Sequence, residues 1–186
     1  IAYNYNTPVD AAAFEREARE LINDLKDKWA WAYKTTHSNG REGNIHYVVW
    51  SDVFVCPNCS HEICYYDAAY SEALDQVQDT FRCSNCQTSL TKRSLDHAIE
   101  TYYDPVLKVT QRRNKQIPAA ISYSVAGKRQ NKPPTPADYE TIEQIKEILS
   151  QQEIVSFPMM HKGGANWRAI WRSGYHSGIT HSHQAY

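Results

Sequence analysis

Two short stretches decide the fold of this chain: Val53-Phe-Val-Cys56-Pro-Asn-Cys59 and Phe81-Arg-Cys83-Ser-Asn-Cys86. Each is a β-type run followed by a Cys-x-x-Cys pair, and 23 residues separate the two pairs. A tight turn between strands can aim two sulfurs at one point, and two facing turns can place four thiolates about 2.3 Å from a zinc ion. The spacing therefore predicts a structural zinc site with four cysteine ligands: Cys56, Cys59, Cys83 and Cys86.

The segment from Asp52 to Arg93 contains few large aliphatic residues and could hardly build a hydrophobic core by itself. A structural zinc ion contributes on the order of 10 kcal/mol or more to such folds. A thioredoxin-type redox pair would begin a helix in a βαβ pattern, whereas strand-like residues flank both pairs here. Two disulfides would need an oxidising compartment, and the odd total of five cysteines argues against them. Structural zinc is the favoured interpretation.

Two further residues near the first pair could ligate a metal. Cys64 lies in an apolar Ile-Cys-Tyr run, which is typical of a small buried hydrophobic residue. His61 could replace a cysteine, but four cysteines already complete a tetrahedral shell. His181 and His183 could share one face of a strand, although a histidine pair near a chain end is usually solvated. None of these is predicted to bind the metal.

Charge is distributed unevenly along the 186 residues, although the net charge is only -1. Residues 105–137 contain seven Lys or Arg and no acid, and residues 154–186 contain three and no acid. A basic flank on a neutral chain suits a module that places one face against a polyanion. There is no signal peptide and no apolar run long enough to span a membrane, so we expect a soluble, cytoplasmic protein without membrane partners. The first residue is not Met, and we expect an internal piece of a longer protein.

Hydrophobic periodicity and capping signals outline the secondary structure. A helix is expected from Pro8 to about Ala32, capped by Thr7, with an apolar stripe that packs into a core: Phe14, Ala18, Leu21, Leu25 and Trp29. A polar loop then covers residues 35–44, and a strand follows from Ile45 to Val55. Residues 67–78 are ambiguous between a short helix and a loop. Strands are expected at 98–103, 107–111 and 117–125, then a turn at Ala126-Gly127 into Lys128, and a second helix from Thr135-Pro136 to about Gln151.

These elements predict an α+β fold in which a zinc ribbon of two β-hairpin knuckles joins a small antiparallel β-sheet, flanked by an N-terminal and a later α-helix. The expected domain organisation has four parts. They are an N-terminal helix and loop (1–44), a strand plus zinc ribbon (45–96), a basic β-hairpin region with the second helix (97–153), and an irregular basic tail (154–186).

No motif with convincing spacing indicates catalysis. The chain has no Gly-x-Gly-x-x-Gly after a strand and no phosphate loop. Asp104-Pro105-Val106-Leu107 faintly resembles the Asp-Pro-Pro-Tyr loop of amino methyltransferases but lacks the second proline and the stacking aromatic residue. A strand end is the better interpretation. The sequence therefore predicts no catalytic residue in this chain.

Several segments resemble a region of large bacterial and archaeal N4/N6-type amino DNA methyltransferases. These are the opening Ile1–Asp10, the run Tyr47–Cys59 that carries Trp-Ser-Asp into the first cysteine pair, Leu90-Thr-Lys-Arg, and Gly178-Ile-Thr-His-Ser-His-Gln. The resemblance implies a zinc-ribbon insert of an enzyme that transfers methyl from S-adenosylmethionine to a DNA base amine. The catalytic domain, in cis, would bind S-adenosylmethionine, and only the four cysteines carry over, as metal ligands.

Two functions follow as expectations. In the first, the chain is a non-catalytic insert that contacts or positions DNA, and basic side chains neutralise phosphates. The DNA-contacting candidates are Arg112, Arg113, Lys115, Lys128, Arg129, Arg168 and Arg172. In the second, the ribbon is an architectural or protein-interaction module, with Trp167, Trp171 and Tyr175 as contact residues. A free-standing enzyme would need a nucleophile or an acid–base pair that the sequence does not offer.

Overall fold

The computed structural model of the chain describes residues 7–154, 156 and 181. Across them the fold is mixed α+β, with three α-helices and twelve strands. The largest sheet has the strand order β1-β2-β11-β12, and β3 and β8 also pair with β2. These strands are β1 (Lys34–Thr36), β2 (Glu42–Val55), β3 (Glu62–Cys64), β8 (Asp96–His97), β11 (Gln116–Val125) and β12 (Lys128–Lys132).

The other strands form three separate two-stranded antiparallel sheets. They pair β4 (Tyr70–Ser71) with β5 (Gln76–Val77), β6 (Thr80–Arg82) with β7 (Ser89–Thr91), and β9 (Ile99–Asp104) with β10 (Val109–Asn114). The chain divides into two compact units. Among the described residues, the first unit holds 7–46 and 123–130, and the second unit holds 47–122, 131–154, 156 and 181.

The first unit contains helix α1 (Ala11–Trp29), which a short 3-10 helix, Ala30–Tyr33, continues. The helix begins three residues later than predicted and its N-cap is Asp10, not Thr7. The Asp10 carboxylate accepts hydrogen bonds from the amides of Ala12 at 3.0 Å and Ala13 at 3.1 Å. Carboxylates are strong caps because they satisfy free amides and favour the positive end of the helix dipole.

The apolar stripe of α1 does not pack into a core, contrary to the prediction. Phe14 is 66% exposed, Leu21 60% and Leu25 48%, and no residue of the helix is buried. The helix itself is confirmed, but hydrophobic periodicity shows only that one face of a helix is apolar and not what covers that face.

Residues 35–44 are more regular than the predicted loop. Strand β1 and the start of β2 occupy half of this segment and pair in antiparallel register from Lys34↔Asn44 to Thr36↔Glu42. Only a tight turn separates them, in which the amide of His37 donates to the carbonyl of Arg41 at 2.8 Å. Within β2, a Cβ at Gly43 would lie 2.6 Å from the ring of Tyr123, so glycine permits this close approach.

The second unit contains the buried core. Residues 67–78, ambiguous in sequence, form the end of a short helix α2 (Tyr65–Ala69) and the β4–β5 hairpin. Helix α3 (Pro136–Ser150) matches its prediction closely. Asp138 is buried and accepts from the amide and the hydroxyl of Thr135, both at 2.7 Å, and from the Lys132 ammonium at 2.7 Å. A capping box therefore starts this helix, as the Thr-Pro-x-Asp pattern indicates.

None of the helices in the described part of the chain is long and apolar enough to cross a membrane.

Candidate metal centre

The first cysteine turn, Cys56–His61, connects β2 to β3. The amide of Cys56 donates to the carbonyl of His61 at 2.9 Å, and the amide of Ser60 donates to the carbonyl of Cys56 at 2.9 Å. Ser60 has a φ of 58°, in the left-handed region. This tight turn brings both sulfurs of the pair within reach of one point.

The second cysteine turn, Cys83–Thr88, connects β6 to β7 and repeats this geometry position by position. The amide of Cys83 donates to the carbonyl of Thr88 at 3.0 Å, and the amide of Gln87 donates to the carbonyl of Cys83 at 3.0 Å. Gln87 has a φ of 61°. Two segments of different sequence therefore adopt one turn conformation, with the residue after the second cysteine in the same unusual conformation each time.

An apolar layer lies beneath both turns. Phe54 pairs with Ile63 across the first hairpin, and Phe81 pairs with Leu90 across the second. The ring of Tyr65 meets both phenylalanines edge-on, with centroids 5.6 Å away in each case. All four paired residues are buried in one cluster with Cys56 and Cys83. Packing against this shared layer holds the two hairpins face to face.

The four sulfurs of the two turns converge. All lie within 4.8 Å of one another, and the Sγ atoms of Cys56 and Cys86, and of Cys59 and Cys83, are each 3.7 Å apart. Each short distance joins one turn to the other. A tetrahedron with ligands 2.3 Å from its centre has edges of about 3.8 Å. The arrangement is that of a tetrathiolate metal site, and it is not a pair of disulfides, whose sulfurs would be about 2.05 Å apart.

An asparagine from each turn reaches the sulfur of the opposite turn. Hydrogen bonding to Asn58 lowers the pKa of the Cys86 thiol, and hydrogen bonding to Asn85 lowers the pKa of the Cys59 thiol. The two asparagines occupy equivalent positions, immediately before the second cysteine of each pair. An amide N–H that donates to a thiolate stabilises its negative charge, so each turn supports a ligand of the other.

The thiols differ in acidity in the metal-free protein. Burial raises the pKa of Cys56 to about 11, whereas hydrogen bonds led by the Thr88 hydroxyl, 3.3 Å away, lower the pKa of Cys86 to about 5. The hydrogen bond from Asn85 lowers the pKa of Cys59. A metal must therefore displace a proton from Cys56, whereas the lowered pKa of Cys86 favours the thiolate that a metal binds.

The remaining candidate ligands of this region lie outside the cluster. Cys64 is half-buried, burial raises the pKa of its thiol, and its sulfur is not part of the group of four. His61 is exposed and contributes its carbonyl to the first turn rather than its ring to the sulfurs. His181 lies within the described residues, but His183 lies outside them.

The basic side chains proposed to contact DNA are placed in two different ways. Arg113 pairs with Glu100 at 2.5 Å and lies over the ring of Tyr102 at 4.3 Å, and Lys115 pairs with Glu62 at 2.5 Å. Arg112 is exposed on β10.

In the first unit, Lys128 and Arg129 are exposed at the start of β12, directly after the predicted Ala126-Gly127 turn. Arg168 and Arg172, like most of the 154–186 tail, lie outside the described residues.

Comparisons with protein families, curated proteins and solved structures found no match to this chain.

Sequence reasoning identified the four cysteines but missed the residues that shape and support the site. These are Ser60, Gln87, Thr88, Asn58 and Asn85. One signal was available, because both pairs read Cys-x-Asn-Cys and a repeated asparagine at one position of two turns indicates a shared role. The sequence did not indicate the left-handed conformation of Ser60 and Gln87, since glycine or asparagine is usual in that conformation.

Proposed function

We propose that the four cysteines hold a structural zinc ion and that the two turns with their hairpins form a zinc ribbon. The main support for this proposal is the convergence of four free cysteine sulfurs. The Sγ–Sγ distances of 3.7 Å between the two turns match the edge of a zinc tetrahedron. Thiolates select zinc or iron over magnesium and calcium, which prefer oxygen ligands. Four protein ligands leave no open position for a water or a substrate, so the role of the ion is structural.

Metal analysis of the purified chain tests this proposal. We expect one equivalent of zinc, and substitution with cobalt(II) should give the absorption of tetrahedral thiolate coordination. Cys83→Ser removes one ligand and should abolish stoichiometric binding. Cys64→Ser is the matched control, because Cys64 is the one cysteine outside the cluster. Absence of bound metal, bound iron in place of zinc, or equal loss in both variants would each overturn the assignment.

The chain's larger role, in this proposal, is that of a non-catalytic segment of a DNA methyltransferase, whose catalytic domain uses S-adenosylmethionine and lies in cis. Its support is the resemblance of the Trp-Ser-Asp run and the cysteine pairs, together with the exposed basic residues. Arg113 and Lys115 already hold carboxylate partners, so phosphate binding there would have to compete with an ion pair. Arg112, Lys128 and Arg129 are further candidates for phosphate contact, since these residues are exposed.

Fluorescence anisotropy with duplex DNA at two salt concentrations tests the DNA role. Neutralising two or three phosphates gives an affinity that falls with salt, with a slope of about 0.9 per phosphate in the logarithms. The double variant Lys128→Glu/Arg129→Glu should weaken binding and flatten this slope. Lys26→Glu/Lys28→Glu makes the same change of charge on α1, amid acidic residues, and should have little effect. Binding that is absent, or equally sensitive to both double variants, would exclude a role for β12.

A second candidate function is a protein-interaction module, which the apolar face of α1 favours. Large exposed side chains at helical spacing are typical of a surface that another protein covers. The contact residues expected from the sequence lie outside the described residues; they are Trp167, Trp171 and Tyr175.

Assembly with the catalytic domain, measured by analytical ultracentrifugation, separates the two candidates. Phe14→Glu/Leu21→Glu should abolish assembly if the face is an interface, and it should leave DNA binding unchanged. Glu15→Lys/Glu17→Lys provides a charge-changing control on the same helix. Retained assembly in the Phe14/Leu21 variant would remove the interaction role from this face.

A further inference from the structure

A cleft in the second unit is built largely from aromatic side chains. It has a volume of about 200 Å³ and is lined by Trp50, Ser51, Asp52, Tyr65, Tyr66, Tyr70, Val77 and Gln116. Half of these residues are aromatic. Binding sites for drug-sized molecules and cofactors are typically about 300–1,000 Å³. This cleft is therefore of the size for one compact group rather than for a whole cofactor.

Internal hydrogen bonds fix the walls of the cleft. The buried Ser51 hydroxyl accepts from the amide of Tyr66 at 2.9 Å, which attaches the first turn of α2 to β2. The Gln116 amide donates to the Asp52 carboxylate at 2.8 Å, which attaches β11 to the same strand. These contacts define the cleft without a ligand, and a preformed site loses less entropy on binding.

The aromatic rings are held in the same way. Tyr66 and Tyr70 stack, with centroids 4.7 Å apart and an interplanar angle of 21°. The Tyr70 hydroxyl donates to the Asp75 carboxylate at 2.7 Å, and Tyr65 is fixed edge-on by the layer beneath the cysteines. Trp50 is the most open of the four and is 48% exposed. A tryptophan face in this position is available to a ligand.

The stretch of chain that supplies most of the lining residues is acidic. From Glu42 to Phe81 the chain has seven acidic residues and no Lys or Arg. Asp52 lines the cleft itself. Burial raises the pKa of the Tyr66 phenol, and the carboxylates of Glu72, Asp67 and Asp75 raise it further. A phosphate would be repelled here and a cation attracted.

A cation already lies against one ring of the group. The Lys92 ammonium is 4.7 Å from the centroid of Tyr65, although Lys92 does not line the cleft. Cations bind the faces of Trp and Tyr because the ring quadrupole is negative there, and recognition of quaternary ammonium ions by aromatic cages is the established use of this effect. Gln116 donates to one oxygen of the Asp52 carboxylate, which holds this negative charge in the wall of the cleft, where it can act as the counter-charge of a cation.

We propose that this cleft binds a methylated ammonium group, with Trp50, Tyr66 and Tyr70 as the aromatic walls and Asp52 as the counter-charge. The same chemistry occurs in a free quaternary ammonium ion and in a trimethyllysine side chain of a peptide. The proposal is independent of DNA binding and of the methyltransferase assignment.

Chemical-shift titration of the zinc-loaded chain by NMR tests the proposal and separates the two sources. Tetramethylammonium chloride, compared with equal sodium chloride, should shift the Trp50 indole resonance and the amides of 50–52 and 65–70. A short peptide with trimethyllysine should bind more tightly than tetramethylammonium if the source is a peptide, and no more tightly if it is a free ion. A peptide with the neutral tert-butyl analogue of the same shape should bind at least about fivefold more weakly, because it lacks the cation–π attraction.

Two variants complete the test. Trp50→Ala removes an exposed ring and should weaken tetramethylammonium binding by about five- to thirtyfold while the spectrum keeps its folded dispersion. Tyr103→Ala removes a ring that is 61% exposed on β9, away from the lining residues, and should change nothing. Equal binding of the charged and neutral analogues would overturn the proposal. So would an unaltered affinity in Trp50→Ala, or the absence of any shift with either cation at millimolar concentrations.

Discussion

The first and second cysteine turns have the same local geometry but very different support. The first turn ends β2, a strand of 14 residues that pairs with several neighbours in the largest sheet. The second turn ends β6, a strand of three residues whose one partner in the described chain is β7. Since an isolated two-stranded hairpin is at best marginal in water, the second turn depends on the metal and on the shared apolar layer more than the first does.

Hydrogen bonds on both sides of β2 show how the first turn is anchored. Val53 pairs with Cys64 on one side, while on the other its amide donates to the carbonyl of Lys115 at 3.0 Å and its carbonyl accepts from Ala98 at 2.8 Å. Nothing equivalent borders β6 among the residues that the structure describes. This difference implies that the largest sheet can hold the first turn in place by itself. The second turn needs the first turn and the metal to keep its position.

Metal removal should reveal the difference in support between the two turns most strongly. Chelation withdraws a contribution on the order of 10 kcal/mol, and the hairpin of residues 80–91 should lose its hydrogen-exchange protection almost completely. The amides of 53–55 should keep part of theirs, because the sheet still pairs them. Hydrogen-exchange mass spectrometry before and after chelation measures both segments in one sample. Simultaneous and equal loss in both hairpins would show that the sheet gives the first turn no independent support.

Truncation of the two equivalent phenylalanines should give the next largest effect. Phe54→Ala and Phe81→Ala each remove a buried ring, at a cost of about 3–5 kcal/mol of unfolding free energy. Both rings lie 5.6 Å from Tyr65, and we expect the larger loss at Phe54 because its ring also lies 4.4 Å from His97. Urea denaturation of the zinc-loaded chain measures these free energies.

Phe14→Ala is the control for this pair, since Phe14 is 66% exposed and its truncation should change stability by less than about 0.5 kcal/mol. A greater loss at Phe81 than at Phe54 would reverse the proposed order of support.

The crossed asparagines should show where the two turns remain equivalent. Asn58→Ala and Asn85→Ala each remove a hydrogen bond to a sulfur of the opposite turn, and each should weaken zinc binding by about 10–100-fold, as the loss of outer-shell partners typically does. Competition with a chromophoric chelator gives the affinities. Asn131→Ala, on an exposed position of β12, should leave the affinity unchanged. An effect at only one of the two sites would mean that the support is not reciprocal.

The contrast also marks what sequence could and could not supply. The Cys-x-x-Cys pairs and the flanking β-type runs were sufficient to predict which sulfurs meet. Strand–turn–strand geometry is local and places the two sulfurs of each pair, and the four-ligand shell of one metal ion predicts that the two pairs come together. The start of α3 was predictable for the same reason, since its capping box is contained within four residues.

Non-local packing was not predictable from pattern. The stripe on α1 has a clear helical period, yet the residues that would cover it are not specified by the helix itself. The aromatic cleft likewise joins residues from 50 to 116, and no spacing rule connects them. The asymmetry between the two turns has the same origin, since neighbours of β2 such as β8 and β11 lie far along the chain.

Glycine substitutions at the left-handed positions should have the smallest effect, and they sharpen the comparison at single residues. A left-handed conformation costs an ordinary L-residue roughly 1–2 kcal/mol, whereas glycine adopts it freely and loses only part of that gain through unfolded-state entropy. Ser60→Gly should therefore stabilise the fold by about 0.5–1 kcal/mol. Gln87→Gly should gain less, because the Gln87 side chain also donates to the carbonyl of Ser84 at 3.3 Å.

Thermal unfolding of the zinc-loaded variants would resolve this ranking, with Ser84→Gly as the control within the second turn. Ser84 is not among the residues with positive φ, so glycine there brings only the entropic penalty and should destabilise. Stabilisation by Ser84→Gly, or destabilisation by Ser60→Gly, would contradict the argument. In either case the left-handed residues would not be a source of strain, and the likeness of the two turns would owe more to their cysteines than to their backbone.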